Sequence, residues 1–126
     1  MAVKIEALVR VTVLVTDIPR ARSFYGRLLG LEEIERPDSF RTPGVWYRAG
    51  TVVVELERSD RAVAGNASRF CLWVEDIAEA RRACIAAGVQ VREGQPGIPG
   101  LIRFLVSDPD GNQVELQGSD GSTWAA

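Results

Sequence analysis

One stretch of this chain occurs twice. Residues 15–22 read VTDIPRAR and residues 74–81 read VEDIAEAR, and further along the triplet Val-Glu-Leu at 54–56 returns at 114–116. The offset between the copies stays between 58 and 60 residues in a chain of 126. A nearly constant offset close to half the length indicates one structural unit used twice.

Composition restricts the class of protein. The length fits a single domain, and 46% hydrophobic with 25% charged residues is ordinary for a globular chain. A formal charge of -2 without a basic cluster argues against a nucleic-acid partner. The apolar runs are too short to span a membrane, and residues 1–6 lack the apolar core of a signal peptide. We therefore expect a cytoplasmic protein with no membrane or nucleic-acid partner.

The two cysteines, Cys71 and Cys84, stand in apolar surroundings. In a cytoplasmic protein this setting is typical of buried thiols rather than of a disulfide. We therefore predict two buried, unpaired cysteines.

Each copy has the pattern of a strand, a helix and further strands. The first strand has one strongly apolar face, made by Val9, Val11, Val13 and Val15. Asp17 stands at the N-cap position of the helix that follows, and Gly30 ends it. The helix carries an apolar stripe formed by Ile18, Ala21, Phe24, Tyr25, Leu28 and Leu29, which predicts core packing for Phe24 and Tyr25.

The second copy repeats this pattern. Asp76 with Glu79 resembles a capping box, and the helix ends at Gly88. Turn residues then divide 45–57 and 101–117 into two hairpins. We predict one domain, 1–126, made of module one at about 5–58, a linker at about 59–67, module two at about 68–117 and a flexible tail at 118–126.

Two stretches are specific to a known family: the helix DIPRARSFYGRLLGL and the hairpin sequence DPDGNQVEL. With them, residues 8–117 resemble the vicinal oxygen chelate superfamily, which includes glyoxalase I, extradiol dioxygenases and bleomycin resistance proteins. It implies an α+β fold in which two tandem βαβββ modules form a curled mixed sheet, or cup. It also implies a homodimer, which would cover sheet edges.

Strand parity indicates which residues face this cup. If the valine face of the first strand packs on a helix, then Arg10 and Thr12 point the other way. The same argument turns Arg69, Cys71 and Trp73 inward in the second copy, and Glu55 and Glu115 inward on the closing strands. The resemblance implies that the metal ligands of metal-dependent relatives correspond to Arg10, Glu55, Arg69 and Glu115.

At the two first-strand positions the relatives carry His or Gln, whereas this chain contains no histidine. Arg10 and Arg69 offer no lone pair, so they cannot bind a metal. Glu55 and Glu115 alone make a poor site for a transition metal, although a substrate-bridged Mg²⁺ is less demanding. We therefore expect no cofactor, with a divalent metal as the disfavoured alternative.

The same four residues suggest a different arrangement. Two arginines and two carboxylates sum to zero charge, so Arg10, Arg69, Glu55 and Glu115 are predicted to form a salt-bridged tetrad. In the alternative, one or both arginines extend to solvent at the rim of the cup. In a functional version, one arginine binds a ligand carboxylate or phosphate.

Aromatic residues complete the candidate site. Trp73 is inward by parity and is predicted to stack on a ligand. Trp46 is a further ligand-binding candidate, but its facing is open, as is that of Tyr47 and Phe104, because a bulge would invert them. Phe40, in the loop after the first helix, is either a lid or a dimer contact.

Two functions remain open. The first is a metal-independent binding protein that holds a small aromatic or anionic molecule in the cup. The second is an enzyme of the glyoxalase, epimerase or dioxygenase type with an altered or glutamate-only metal site. In a metal-free isomerase, Glu55 or Glu115 would serve as a general base if burial raised its pKa, although a neighbouring arginine would lower that pKa. Loss of the imidazoles favours the first.

Overall fold

The computed structural model describes residues 1–61, 69–95 and 97–121. The chain divides into two compact units, Met1–Ala62 and Val63–Ala126. Each unit contains a strand, a helix and three further strands. The predicted α+β class with two βαβββ modules is therefore confirmed.

The first unit is a mixed four-stranded sheet with one helix. The elements are β1 (Arg10–Val15), α1 (Ile18–Arg22), a π-helical segment (Ser23–Leu28), β2 (Glu32–Ile34), β3 (Gly44–Ala49) and β4 (Val52–Arg58). The strand order is β1-β4-β3-β2, with β1 parallel to β4 and the other neighbours antiparallel. The helix α1 continues directly into the π-helical segment.

The second unit repeats the topology. Its elements are β5 (Arg69–Trp73), α2 (Ile77–Ala86), β6 (Val91–Glu93), β7 (Leu101–Ser107) and β8 (Gln113–Ser119). The strand order is β5-β8-β7-β6, again with a parallel pair, β5 and β8, at one edge. Among the described residues, neither unit contains a helix that is long and apolar enough to cross a membrane.

Capping residues set the helix ends as predicted. The Asp17 carboxylate accepts a hydrogen bond from the Arg20 amide at 3.0 Å, and Asp76 accepts one from Glu79 at 3.0 Å. These bonds satisfy amides that have no partner within the helix. Gly30, with φ +72°, adopts the left-handed conformation that follows the end of a helix.

The core lies between each helix and one face of its sheet. Val13 and Val15 are buried on that face, as are Phe24 and Tyr25 of the π-helical segment. Val9 differs from the prediction: it lies before β1 and is 67% exposed, because only its carbonyl joins the sheet, by accepting the Val53 amide at 3.0 Å.

The structure settles the facing of three aromatic side chains. Tyr47 and Phe104 are buried on the helix side of their sheets. Tyr47 packs over Gly26, where an added Cβ would lie 3.0 Å from the Tyr47 hydroxyl. Trp46, next to Tyr47, therefore points to the opposite face, which we call the open face of the unit.

Two predictions from the sequence need correction. Cys84 is buried, but Cys71 is exposed within its unit, because strand parity places it on the open face. Strand β8 extends to Ser119, so the predicted tail begins at least two residues too early. Most of the predicted linker and the rest of that tail, residues 62–68 and 122–126, lie outside the described residues.

Candidate functional site

The open face of the first unit carries a buried carboxylate, Glu55, which is 3% exposed. Its Oε1 accepts a hydrogen bond from the Thr12 hydroxyl at 2.9 Å, and its Oε2 accepts from Trp46 Nε1 at 2.9 Å and from Arg36 Nε at 3.1 Å. Arg10 Nε lies 3.5 Å from Oε1. We call these five residues the N-terminal cluster.

These contacts set the charge state of Glu55. Burial alone would raise the pKa of the carboxyl group, but hydrogen bonds from Trp46, Thr12 and Arg36, together with the charge of Arg36, hold the pKa below its usual value. Glu55 therefore remains ionised and anchors the polar side chains around it. A group of this kind is unsuited to act as a general base at neutral pH.

An aromatic surface adjoins the N-terminal cluster. The Phe40 and Trp46 rings meet edge to face with centroids 5.6 Å apart. The Arg36 guanidinium carbon lies 4.6 Å from the Phe40 centroid, and that of Arg10 lies 5.3 Å from the Trp46 centroid. These distances are within the range of cation–π attraction, so the loop that carries Phe40 is attached to the cluster.

The open face of the second unit contains an equivalent carboxylate, Glu115, which is 8% exposed. Its Oε1 lies 3.3 Å from Arg69 Nε and accepts a hydrogen bond from Arg103 Nη1 at 3.0 Å. Beside it, the Cys71 thiol donates to Gln117 Oε1 at 3.4 Å. We call these residues the C-terminal cluster.

Each cluster therefore contains a second arginine that the sequence did not reveal. In the first unit a Cβ on Gly44 would lie 2.7 Å from the Arg36 guanidinium carbon. In the second unit a Cβ on Gly94 would lie 2.6 Å from Arg103 Cγ. Arg36 and Gly94 follow β2 and β6, whereas Gly44 and Arg103 lie on the paired strands β3 and β7. The arginine and the glycine have thus exchanged strands between the copies, and both arrangements deliver a guanidinium to the glutamate.

The predicted pairs form within their own units. Arg10 pairs with Glu55 and Arg69 with Glu115, although both arginine side chains keep substantial exposure, 39% and 45%. The joining of these four residues into one tetrad stays a prediction. Trp73 lies on the open face and is 53% exposed, and its proposed stacking on a ligand also stays a prediction.

The two open faces differ in net charge. In the first unit the charges on this face cancel, since there are three arginines and three glutamates: Arg10, Arg36 and Arg48, and Glu32, Glu55 and Glu57. In the second unit three arginines face one glutamate: Arg69, Arg92 and Arg103 against Glu115. Arg92 reaches across this face and donates to Gln113 Oε1 at 2.7 Å.

A pocket of about 450 Å³ opens beside the C-terminal cluster. Its walls include Arg103, Glu115 and Gln117 from the open face, together with Gln95 and Ile98 from the segment after β6. This volume lies in the range that small-molecule sites occupy.

Cys71 is predicted to react slowly with thiol reagents. Although Cys71 is exposed on the open face, partial burial of the residue and the neighbouring Glu115 charge raise the pKa of its thiol to about 11. Because only the thiolate reacts, alkylation by iodoacetamide at pH 8 should be on the order of 100-fold slower than for a free cysteine. Peptide mass spectrometry after timed alkylation measures this rate, and labelling of Cys71 at the rate of glutathione would contradict the prediction.

The described residues show which donors a metal would find. In residues 1–61, 69–95 and 97–121, no three His, Cys, Asp or Glu side chains come together as a possible metal-binding group. The two glutamates of the clusters have arginine, tryptophan or threonine as hydrogen-bonding neighbours.

Sequence comparison places the chain in a family. The family model of the Glyoxalase/Bleomycin resistance protein/Dioxygenase superfamily matches residues 7–116. The chain belongs to this superfamily. No curated protein matches it significantly.

Several solved structures resemble the chain. A glyoxalase family protein from Bacillus anthracis has 28% identity and a TM-score of 0.84, over 95% of this chain and 100% of that one. An antibiotic binding protein from a Streptomyces species has 20% identity and a TM-score of 0.76, over 94% and 100%. Lactoylglutathione lyase from Agrobacterium tumefaciens has 24% identity and a TM-score of 0.68, over 89% and 92%. The last two similarities concern the fold.

Proposed function

We propose that this superfamily member is a binding protein for a small anionic molecule with a planar group, and that it needs no metal. The observation that carries the proposal is the engagement of each buried glutamate by two arginines. Glu55 has Arg10 and Arg36, and Glu115 has Arg69 and Arg103.

The donor set does not fit a divalent metal. Arginine has no lone pair to donate, and it occupies two of the four positions that correspond to the ligands of metal-dependent relatives. Both oxygens of Glu55 already accept hydrogen bonds. A metal at this carboxylate would have to displace these donors and would lie next to the positive charges of Arg10 and Arg36.

The chemistry of the open faces favours an anionic ligand with a planar part. Guanidinium groups bind carboxylates and phosphates through paired hydrogen bonds, and arginines outnumber carboxylates on the open face of the second unit. The Phe40 and Trp46 rings, and the exposed ring of Trp73, offer surfaces on which a planar group can stack. The fold shared with an antibiotic binding protein is consistent with a binding role.

Metal content tests the first part of the proposal. Protein purified without affinity metal and dialysed is expected to hold far less than one equivalent of Mn, Fe, Ni or Zn in elemental analysis by mass spectrometry. One equivalent of any of these metals that survives dialysis would overturn metal independence and favour an enzyme of the lyase type.

Ligand binding tests the second part. Tryptophan fluorescence and calorimetry with three probes of similar size, namely phenyl phosphate, benzoate and benzylamine, should show binding of the anions and no binding of the cation. Trp73→Ala should weaken anion binding by about 1 kcal/mol, the scale of one aromatic contact. Equal binding of benzylamine, or no response to any anion, would contradict the proposal.

We also propose that the protein is a cytoplasmic homodimer, in keeping with the superfamily resemblance. Light scattering coupled to size-exclusion chromatography tests the dimer. A mass near 13.8 kDa, that of one chain, at micromolar concentration would rule it out.

A further inference from the structure

We propose that Arg69, Arg92 and Arg103 form a subsite for a dianionic phosphate monoester on the open face of the second unit. This inference rests on the proposed function, because it names the ligand group that the binding protein would take. It adds Arg92, a residue outside the clusters, and it predicts the charge that the ligand carries.

The net charge on the open face of the second unit favours a dianionic ligand. The strand residues of this face carry three guanidinium groups and one carboxylate, that of Glu115. Their neighbours on the same face are uncharged: Cys71, Trp73, Leu101, Leu105, Ser107, Gln113 and Gln117. The resulting surplus of two positive charges is neutralised by a dianion, whereas a monoanion leaves one charge unpaired. The balanced face of the first unit has no such surplus.

The positions of the three arginine side chains also favour a common subsite. Arg69 and Arg103 meet at a single oxygen, Oε1 of Glu115. Arg92 bonds to Gln113, whose backbone is the register partner of Arg69. The three guanidinium groups are therefore directed, from the strands on both sides of β8, to Gln113 and Glu115, which are two positions apart on the same face.

The contacts with Glu115 leave other N–H groups of the arginine side chains available. Each guanidinium has five N–H groups, and the described contacts use Nε of Arg69, Nη2 of Arg92, and Nε and Nη1 of Arg103. Glu115 thus positions two arginines while leaving donors for an incoming oxyanion. The pocket of about 450 Å³ beside Arg103 has room for the organic part of the ligand.

Calorimetry with two probes of matched shape tests the subsite. Phenyl phosphate is a dianion at pH 7.5, whereas benzenesulfonate has a similar tetrahedral group with a single charge. Phenyl phosphate is expected to bind at least about tenfold more tightly. Arg92→Gln should weaken phenyl phosphate binding about tenfold, which corresponds to the loss of one hydrogen bond between charged groups.

Arg48→Gln is the matched control, since Arg48 is an exposed arginine on the open face of the first unit and pairs with Glu32. It should leave phenyl phosphate binding within about twofold. Thermal unfolding followed by circular dichroism shows whether both variants are folded. If Arg92→Gln is not folded, Arg69→Gln provides a second subsite variant.

The outcomes separate this inference from the proposed function. If both probes bind equally well, or if Arg92→Gln and Arg48→Gln have equal effects, the phosphate subsite is wrong while anion binding stands. If neither probe binds, the phosphate subsite is wrong, and if benzoate gives no response either, the proposed function fails as well.

The pH dependence gives an independent readout. The second ionisation of a phosphate monoester has a pKa of about 6, and the chain contains no histidine that would titrate nearby. Arginine stays protonated in proteins over this range, and the Cys71 thiol stays neutral because its pKa is raised to about 11. Phenyl phosphate affinity should rise several-fold from pH 5 to 7.5, with benzenesulfonate affinity unchanged. Identical pH profiles for the two probes would overturn the dianion requirement.

Discussion

Glu55→Gln is expected to lower the free energy of unfolding by about 3 kcal/mol, the cost of breaking a buried ion pair. The amide keeps the shape of the carboxylate but loses its charge, and in either orientation its NH₂ group faces an arginine donor, Arg10 at Oε1 or Arg36 at Oε2. Arg36, whose side chain is 11% exposed, is then left without its counter-charge. Urea unfolding followed by tryptophan fluorescence measures the change.

The sequence duplication supplies a matched control in Glu115→Gln. The arginine side chains around Glu115 are more exposed, 27% for Arg103 and 45% for Arg69, so water can replace the lost carboxylate. The expected loss is below about 1.5 kcal/mol, because exposed ion pairs contribute little. Equal losses for the two variants would show that burial of Arg36 does not set the strength of the N-terminal cluster.

Glu55 should also affect how the stability of the protein depends on pH in acid. Its pKa is lowered in the folded state, so its stabilising contribution is complete above the unfolded value of about 4.3 and is lost as the pH falls through the folded value. The wild-type protein should therefore lose stability below about pH 4 more steeply than Glu55→Gln does. Parallel pH profiles for the two proteins would contradict this assignment.

Gly44→Ala is expected to destabilise the first unit by about 2 kcal/mol, as overpacking does in well-packed sites. The new Cβ would lie 2.5 Å from the Leu56 carbonyl oxygen, which is backbone and cannot rotate away, and 2.7 Å from the Arg36 guanidinium carbon. To remove this steric overlap, β3 must move away from β4 and Arg36 must move away from Glu55. Thermal unfolding measures the loss of stability.

Substitutions at two other glycines serve as controls for this steric effect. At Gly97 a Cβ would meet only Arg103 Nε at 3.9 Å, so Gly97→Ala should be nearly neutral. Gly94→Ala should fall between the two, since its closest neighbour is Arg103 Cγ at 2.6 Å, a side-chain atom that can move. A loss for Gly97→Ala as large as that for Gly44→Ala would refute the steric explanation.

Local pattern was enough to predict much of the site. Period-two alternation placed Arg10 and Glu55 on the face away from the helix, and the structure confirms that facing. The capping aspartates and the glycines that end the helices were also identified, because these signals depend on a few neighbouring residues.

The facing of Trp46 could not be predicted. β3 has large apolar residues at successive positions, Val45, Trp46 and Tyr47, so alternation carries no signal there. The register between β3 and β4 places Trp46 opposite Glu55 and turns Tyr47 towards the helix.

The sequence by itself determined the duplication, the two modules and the equivalent glutamates, because repeats and strand parity are local properties of the chain. Only the tertiary structure decided which arginines complete the clusters. Arg36 and Arg103 stand at different places in the two copies, and each reaches its glutamate because strand pairing sets a glycine opposite a long side chain. Such a contact depends on register and reach between distant segments, which no pattern along one segment encodes.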